Sequence, residues 1–139
     1  MPRLKLRARE SYPFRCELSV RIGDVNYGGH LGHDRLLSLM QEARLAFLAA
    51  HSWSEMNCAG SGLIMGDAVV VYQGEAFAGD VLRFELAAGE PGRFGFRFFY
   101  RVTRPADGRS IALAETGMIC FDYERRTACP LPAALAEML

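Results

Sequence analysis

From Phe14 the chain alternates, with Phe14, Cys16, Leu18, Val20 and Ile22 apolar and Arg15, Glu17, Ser19 and Arg21 polar. A period of two predicts a strand with one buried face. The alternation stops at Gly23, and from about Asp34 to His51 the spacing turns helical. Leu36, Leu37, Leu39, Met40, Ala43, Phe47 and Leu48 leave only a narrow polar strip of Arg35, Gln41, Glu42 and Arg44. A helix so apolar around its girth is expected to be enclosed by protein on most sides.

Four further strand candidates follow: LIMGDAVVVYQGEAF, DVLRFELAAGE, RFGFRFFYRVT and SIALAETGMICFDY. Turn signals separate them at Ala78 to Asp80, Gly89 to Gly92 and Pro105 to Gly108. Connections this short favour antiparallel neighbours, so the four read as a meander. PLPAALAEML closes the chain as a short helix with proline near its start. One strand, one long helix and four strands predict a single α+β domain over residues 1–139, with an antiparallel sheet of about five strands wrapped around the helix.

The apolar share of 50% is high, yet no window approaches the roughly 18 uncharged apolar residues of a membrane span. The excess is expected to serve a subunit interface, and a Val- and Tyr-rich edge strand is best covered by pairing across a homo-oligomer. Sixteen basic and sixteen acidic residues cancel, which argues against a nucleic-acid partner. The opening MPRLKLRARE carries Arg3, Lys5, Arg7 and Arg9 but no secretory apolar core, and reads as a frayed or strand-leading tail on a cytoplasmic protein. Cys16, Cys58, Cys120 and Cys129 show no C-x-x-C spacing and are expected to be reduced and structural. No nucleotide fingerprint or cofactor motif is present, and His30 with His33 lacks a third ligand for a metal.

Chemistry concentrates in GDVNYGGHLGHDRLL. Gly28, Gly29 and Gly32 allow sharp turns and a close approach to a ligand. The first N–H groups of the following helix have no intrahelical acceptor and carry roughly half a positive charge, a setting that stabilises an oxyanion. Asp24, Asn26, His30, His33 and Asp34 stand around it, able to orient a water, take its proton or polarise a carbonyl. Together they point to acyl transfer or hydrolysis. Plainer roles exist for each: Asp34 as the helix N-cap, Asp24 bonded to its own backbone, the histidines as loop closures. Glu42, roughly 12 Å along the helix from Asp34, is expected to pair with an arginine such as Arg35, Arg44 or one on a neighbouring element.

The run RIGDVNYGGHLGHDRLLSLMQEARLAFL resembles the signature segment of the hotdog-fold acyl-CoA thioesterases, in particular the small bacterial 4-hydroxybenzoyl-CoA and Tol-Pal-cluster types. Asp24, Asn26, the glycines Gly28 and Gly29, and the triplet Glu42, Ala43, Arg44 occupy the motif's places, and FAGDVL falls at the expected turn. The resemblance implies a hotdog dimer, or dimer of dimers, with active sites at the subunit boundary and an acyl-CoA or acyl-carrier thioester as substrate. It puts Asn26 where many relatives carry a catalytic aspartate, matches His33 to a catalytic histidine and its N–H to an oxyanion donor, and aligns His30 with a Gly-His step. An amide is neither base nor nucleophile at neutral pH, so a covalent acyl-enzyme is disfavoured. Asn26 would then hold the lytic water or the thioester, with Asp24 or a histidine as base. The acyl pocket is expected to include Met65 and Tyr72. The CoA phosphates direct attention to Arg93, Arg97 and Arg101 on one strand face, with Arg104 and Arg109 beside them, although a solvated face explains these equally well. Two alternatives remain open: an enoyl-thioester hydratase or dehydratase pairing Asp24 with a histidine, and a non-catalytic acyl-CoA binder.

Overall fold

The computed structural model describes residues 1–139. Strand β1 (Phe14–Ser19) is followed by a 3₁₀ turn (Ile22–Asp24) and helix α1 (His33–Ala50). Then come β2 (Gly62–Tyr72), β3 (Val81–Gly89), β4 (Gly95–Arg104), β5 (Arg109–Asp122), a two-residue β6 (Thr127–Ala128) and α2 (Ala133–Met138). The sheet is antiparallel in the order β1-β3-β4-β5-β2, with β6 added beside β5.

The expected four-strand meander is therefore corrected: only β3, β4 and β5 form one. β2 pairs with β5 from Gly62 opposite Phe121 to Tyr72 opposite Ala112, leaving β3 on the other side of β4. Residues 73–80 make the crossing. Eight extended residues reach about 26 Å, ample for the three inter-strand spacings, about 14 Å in all, that separate β2 from β3.

Helix α1 buries Leu36, Leu39, Met40, Ala43, Arg44, Phe47 and Leu48. That i, i+3, i+4, i+7 stripe faces the sheet. Inward positions of the strands meet it: Leu82, Phe84 and Leu86 of β3, Phe96, Phe98 and Tyr100 of β4, and Ala112, Ala114 and Met118 of β5 are buried. Phe47 packs edge-on against Phe14 at 5.5 Å and Phe98 at 5.2 Å. This is the hotdog arrangement. The expectation that protein encloses α1 on most sides is not met within one chain, because the sheet covers a single face and Leu37, Ser38, Gln41 and Glu42 are exposed.

The ion pair expected of Glu42 is not formed. Arg44 instead turns into the core, where its Nε donates to Glu55 Oε1 at 2.9 Å and its Nη1 to the Tyr100 hydroxyl at 3.3 Å. Tyr100 in turn shares a 2.6 Å hydrogen bond with Thr116 Oγ1. Burial raises the Tyr100 phenol above its ordinary range and keeps it neutral. The four cysteines are free thiols, and burial pushes Cys58 up to about 12.

Of the two readings of the N-terminal tail, the strand-leading one describes it, since residues 1–13 run directly into β1. Residues 1–13 form a strap across the outer sheet face, with the Arg9 guanidinium 4.0 Å above the Phe99 ring and Arg101 4.7 Å above Tyr12. The strap reaches β2, where Arg3 Nη2 donates to the Tyr72 carbonyl at 3.2 Å. No helix is long and apolar enough to cross a membrane.

Candidate active site

The segment from Asn26 to Gly32 is folded by its own backbone. Asn26 N–H donates to His30 O at 2.9 Å and Gly29 N–H to Asn26 O at 3.0 Å. Gly29 takes φ +81°, which favours glycine. Asn26 Oδ1 accepts the Gly28 N–H at 3.0 Å, an Asx turn that leaves the amide nitrogen Nδ2 as a free donor. His30 Nδ1 lies 3.2 Å from the Leu31 carbonyl. A carbonyl can only accept, so Nδ1 is the donor of this pair and Nε2 is the ring nitrogen turned toward the Asn26 side. A Cβ on Gly28 would sit 3.2 Å from His30 Nε2 and 3.3 Å from Asn26 Oδ1. Glycine thus lets the imidazole and the amide face one small gap.

Helix α1 begins next to this gap with Gly32 as N-cap and no side chain capping it. Asp34 is therefore not the N-cap it was expected to be. Its carboxylate lies over Gly32, whose missing Cβ would be 2.6 Å from Oδ1. The N–H groups of His33, Asp34 and Arg35 have no acceptor within the chain, so the start of α1 keeps free main-chain donors, with Asp34 the one acidic side chain of the first turn.

The facing wall comes from the end of β2 and the crossing segment. Leu31 N–H donates to Ala76 O at 2.7 Å, pinning the two walls together. The Tyr72 hydroxyl donates to His33 O at 2.8 Å, and burial, then the Asp34 charge, raise its phenol above the ordinary range. Arg109 lies across Gly74, where a Cβ would stand 2.6 Å from Ser110 O and 2.8 Å from Arg109 Nε. The cavity between these walls is open to solvent, measures about 600 Å³ and is lined by Asn26, His30, Leu31, His33 and Tyr72 on the sides already described, and by Gln73, Gly74, Glu75 and Arg109.

Of the residues singled out in the sequence, Asn26, His30, His33 and Tyr72 meet in this cavity, and Gly28 and Gly29 shape its rim. Asp24 does not line it. Only 6% exposed, Asp24 closes the 3₁₀ turn by accepting the Arg21 N–H at 2.9 Å, with Arg21 Nε 3.7 Å away. Met65 is exposed beside the β2 bulge and outside the cavity. Arg97 is bound bidentately to Asp67 at 2.8 and 3.1 Å and to Glu115 at 3.1 Å, and its guanidinium holds the Asp67 carboxyl below its usual range. Arg93 precedes β4 and rests 5.1 Å from the Phe94 ring, at the end of the sheet where Gly95, Ile119 and Ile64 are in register. That is eight residues, about 26 Å, from Tyr72 along β2. Gln73 and Glu75 were not anticipated, although the Gln-Gly-Glu step that breaks the apolar run of β2 is a signal that the strand ends there. Arg109, in sequence one of the hairpin cations, joins the cavity wall instead. No three His, Cys, Asp or Glu side chains converge as a metal site.

Residues 20–139 match the family model of the thioesterase-like superfamily. A 1,4-dihydroxy-2-naphthoyl-CoA hydrolase of Synechococcus elongatus is 32% identical over 91% of this chain and 94% of its own length. A crystal structure of a 1,4-dihydroxy-2-naphthoyl-CoA thioesterase from Synechocystis superposes with a TM-score of 0.79 at 23% identity, covering 90% of this chain and 96% of the other. That of a hypothetical protein from Aquifex aeolicus gives 0.81 at 24% identity, covering 91% and 99%.

Proposed function

This chain belongs to the thioesterase-like superfamily, and from that premise we propose that it hydrolyses an acyl-CoA thioester with a small or medium aromatic acyl group, by direct attack of water. The observation that carries the mechanism is the His30 ring held through Nδ1 with Nε2 beside the Asn26 amide at the start of α1. The aromatic acyl group is supported by the relative of 32% identity, which acts on a naphthoyl-CoA.

The thioester carbonyl oxygen lies toward the free N–H groups at His33 and Asp34, and Asn26 Nδ2–H holds the water or the substrate carbonyl. His30 Nε2 accepts a proton as the water oxygen bonds to the acyl carbon. The tetrahedral oxyanion is stabilised by the main-chain donors, then collapses as the carbon–sulfur bond breaks. The thiolate leaves and takes the proton from the His30 imidazolium, giving a carboxylic acid and free CoA. A thioester is already activated, so positioning, one base and an oxyanion donor suffice without a covalent intermediate. Glu75 and Arg109 supply opposite charges on the far wall to orient polar substituents of the acyl group. With Asp24 turned into its own backbone, the pair of Asp24 and a histidine that a hydratase would use is not assembled in the cavity.

The working form is a homo-oligomer. β2, eleven residues long, ends the strand order with one side free of a partner strand, and Met65 and Tyr72 are 39% and 41% exposed along it. Antiparallel pairing of two such edges would cover them and bring each Met65 toward the other copy's Tyr72 end, where it could reach the acyl group. Four free thiols support a reducing, cytoplasmic setting.

The test follows thiol release from benzoyl-CoA with a thiol-reactive dye. Asn26→Ala and His30→Ala are each expected to lower kcat/KM about 100-fold with melting unchanged, and His33→Ala to lower it less because its main-chain donor remains. Full turnover in both Asn26→Ala and His30→Ala would remove the mechanism. Tight acyl-CoA binding with no turnover by the wild type would make the protein a binder.

A further inference from the structure

The strap ends beside the active site. A cleft of about 440 Å³ lies between Arg3, Leu4, Lys5 and Leu6 on one side and the end of β2 on the other. Two residues of that β2 side, Tyr72 and Gln73, are also walls of the reaction cavity, so the cleft adjoins the cavity at the end of β2. We propose that Arg3 and Lys5 bind the phosphate groups of the CoA moiety, with the pantetheine arm running from the cavity past Tyr72 and Gln73. This rests on the acyl-CoA reading above and assigns its nucleotide end.

Charge distribution is the first argument. Arg21, Arg44, Arg83, Arg97, Arg101, Arg104 and Arg125 each have a carboxylate partner. Arg15, Arg35, Arg93, Arg109 and Arg126 form no ion pair but are scattered over other elements, whereas the unpaired Arg3, Lys5, Arg7 and Arg9 stand together on the strap with only Glu10 beside them. In a chain whose sixteen basic and sixteen acidic residues balance, the strap is thus a local excess of positive charge. Such an excess beside a cavity attracts a polyanion and holds it through charge-assisted hydrogen bonds.

The second argument is placement. CoA separates its phosphates from its sulfur by a long flexible arm, so the cations must stand away from the reacting carbonyl but next to the cavity. Arg97 is saturated by Asp67 and Glu115, and Arg93 lies at the far end of the sheet. Arg3 spends one Nη2 hydrogen on the Tyr72 carbonyl and keeps its remaining donors. The strap is itself positioned by the Arg9 stack on Phe99, the Arg101 stack on Tyr12 and a 3.1 Å bond from Arg9 N–H to the Tyr12 hydroxyl. Leu4 and Leu6 line the cleft and give the arm an apolar surface.

The experiment compares the wild type with the double variant Arg3→Ala plus Lys5→Ala on benzoyl-CoA and on S-benzoylpantetheine, which lacks the phosphates. Both substituted residues are on the strap and outside the core, so the fold is expected to persist, and circular dichroism verifies it. Losing two charged contacts is expected to raise KM for benzoyl-CoA about tenfold and to leave both constants for S-benzoylpantetheine within about twofold. Unchanged KM for benzoyl-CoA, or equal loss on both substrates, overturns the assignment. Should the wild type hydrolyse neither compound, the thioesterase reading falls, and calorimetric titration with CoA decides this one separately. CoA binding weakened about tenfold in the double variant sustains it; equal binding, or none by the wild type, refutes it.

Discussion

The hydroxyl of Tyr72, last residue of β2, donates to the main-chain carbonyl of His33, first residue of α1, at 2.8 Å. Sheet edge and helix start are thereby fixed across the cavity. Tyr72→Phe removes one partly exposed bond, so a stability loss of about 1 kcal/mol is expected. Because the cavity wall loosens, KM for an acyl-CoA should rise as well. Denaturant unfolding and steady-state kinetics on the same preparation check both.

Gly28 separates the His30 Nε2 from the Asn26 Oδ1 by the space a methyl group would fill. Its φ is not positive, so alanine strains no backbone there. Gly28→Ala is expected to lower kcat about tenfold through a misplaced base, with melting shifted by less than about 2 °C. A variant with full turnover would show that these two side chains do not act together.

Arg44 is 4% exposed and carries both Glu55 and Tyr100. Arg44→Ala strands those partners, one fully buried, and is expected to cost about 3 kcal/mol. Tyr100→Phe removes two hydrogen bonds but leaves the Arg44 pair with Glu55, so about 1 to 2 kcal/mol is expected. The double variant should cost less than the sum, which urea unfolding of all four proteins measures.

Burial moves the Cys58 thiol from its ordinary value of 9.0 up to about 12. The folded state therefore holds a proton that the unfolded chain releases. This contribution is complete below pH 9 and is lost as pH climbs from 9 through about 12, at up to about 1.4 kcal/mol per pH unit. Cys58→Ala should be less stable at neutral pH, from the cavity it leaves, yet decline less steeply in alkali. Urea midpoints at intervals above pH 8 test the sign.

What was legible in the chain was local. The i, i+4, i+7 stripe of Leu36, Met40 and Ala43 and the alternation through Phe84 and Leu86 specify elements and inward faces, because helix and strand periods are properties of neighbouring residues. The grouping of Asn26, His30 and His33 was equally local. The position of β2 was not, since it depends on ten pairings with β5, some forty to sixty residues away. The same holds for Arg97, whose partner Asp67 is brought near by strand register, and for Arg109, carried to the cavity by the β2 and β5 pairing. Asp24 illustrates a different limit: a carboxylate bonding its own turn and one aimed at a substrate have identical local sequences.

The crossing segment, residues 73–80, is nearly twice as long as its path requires and supplies one wall of the cavity without joining the core strands. Surface connectors tolerate insertions and deletions at little thermodynamic cost. Gln73, Gly74 and Glu75 can therefore vary in number as well as kind while α1 and the sheet stay put. A scaffold built this way acquires new acyl preferences by remodelling a connector, which keeps substrate range evolvable on an unaltered frame.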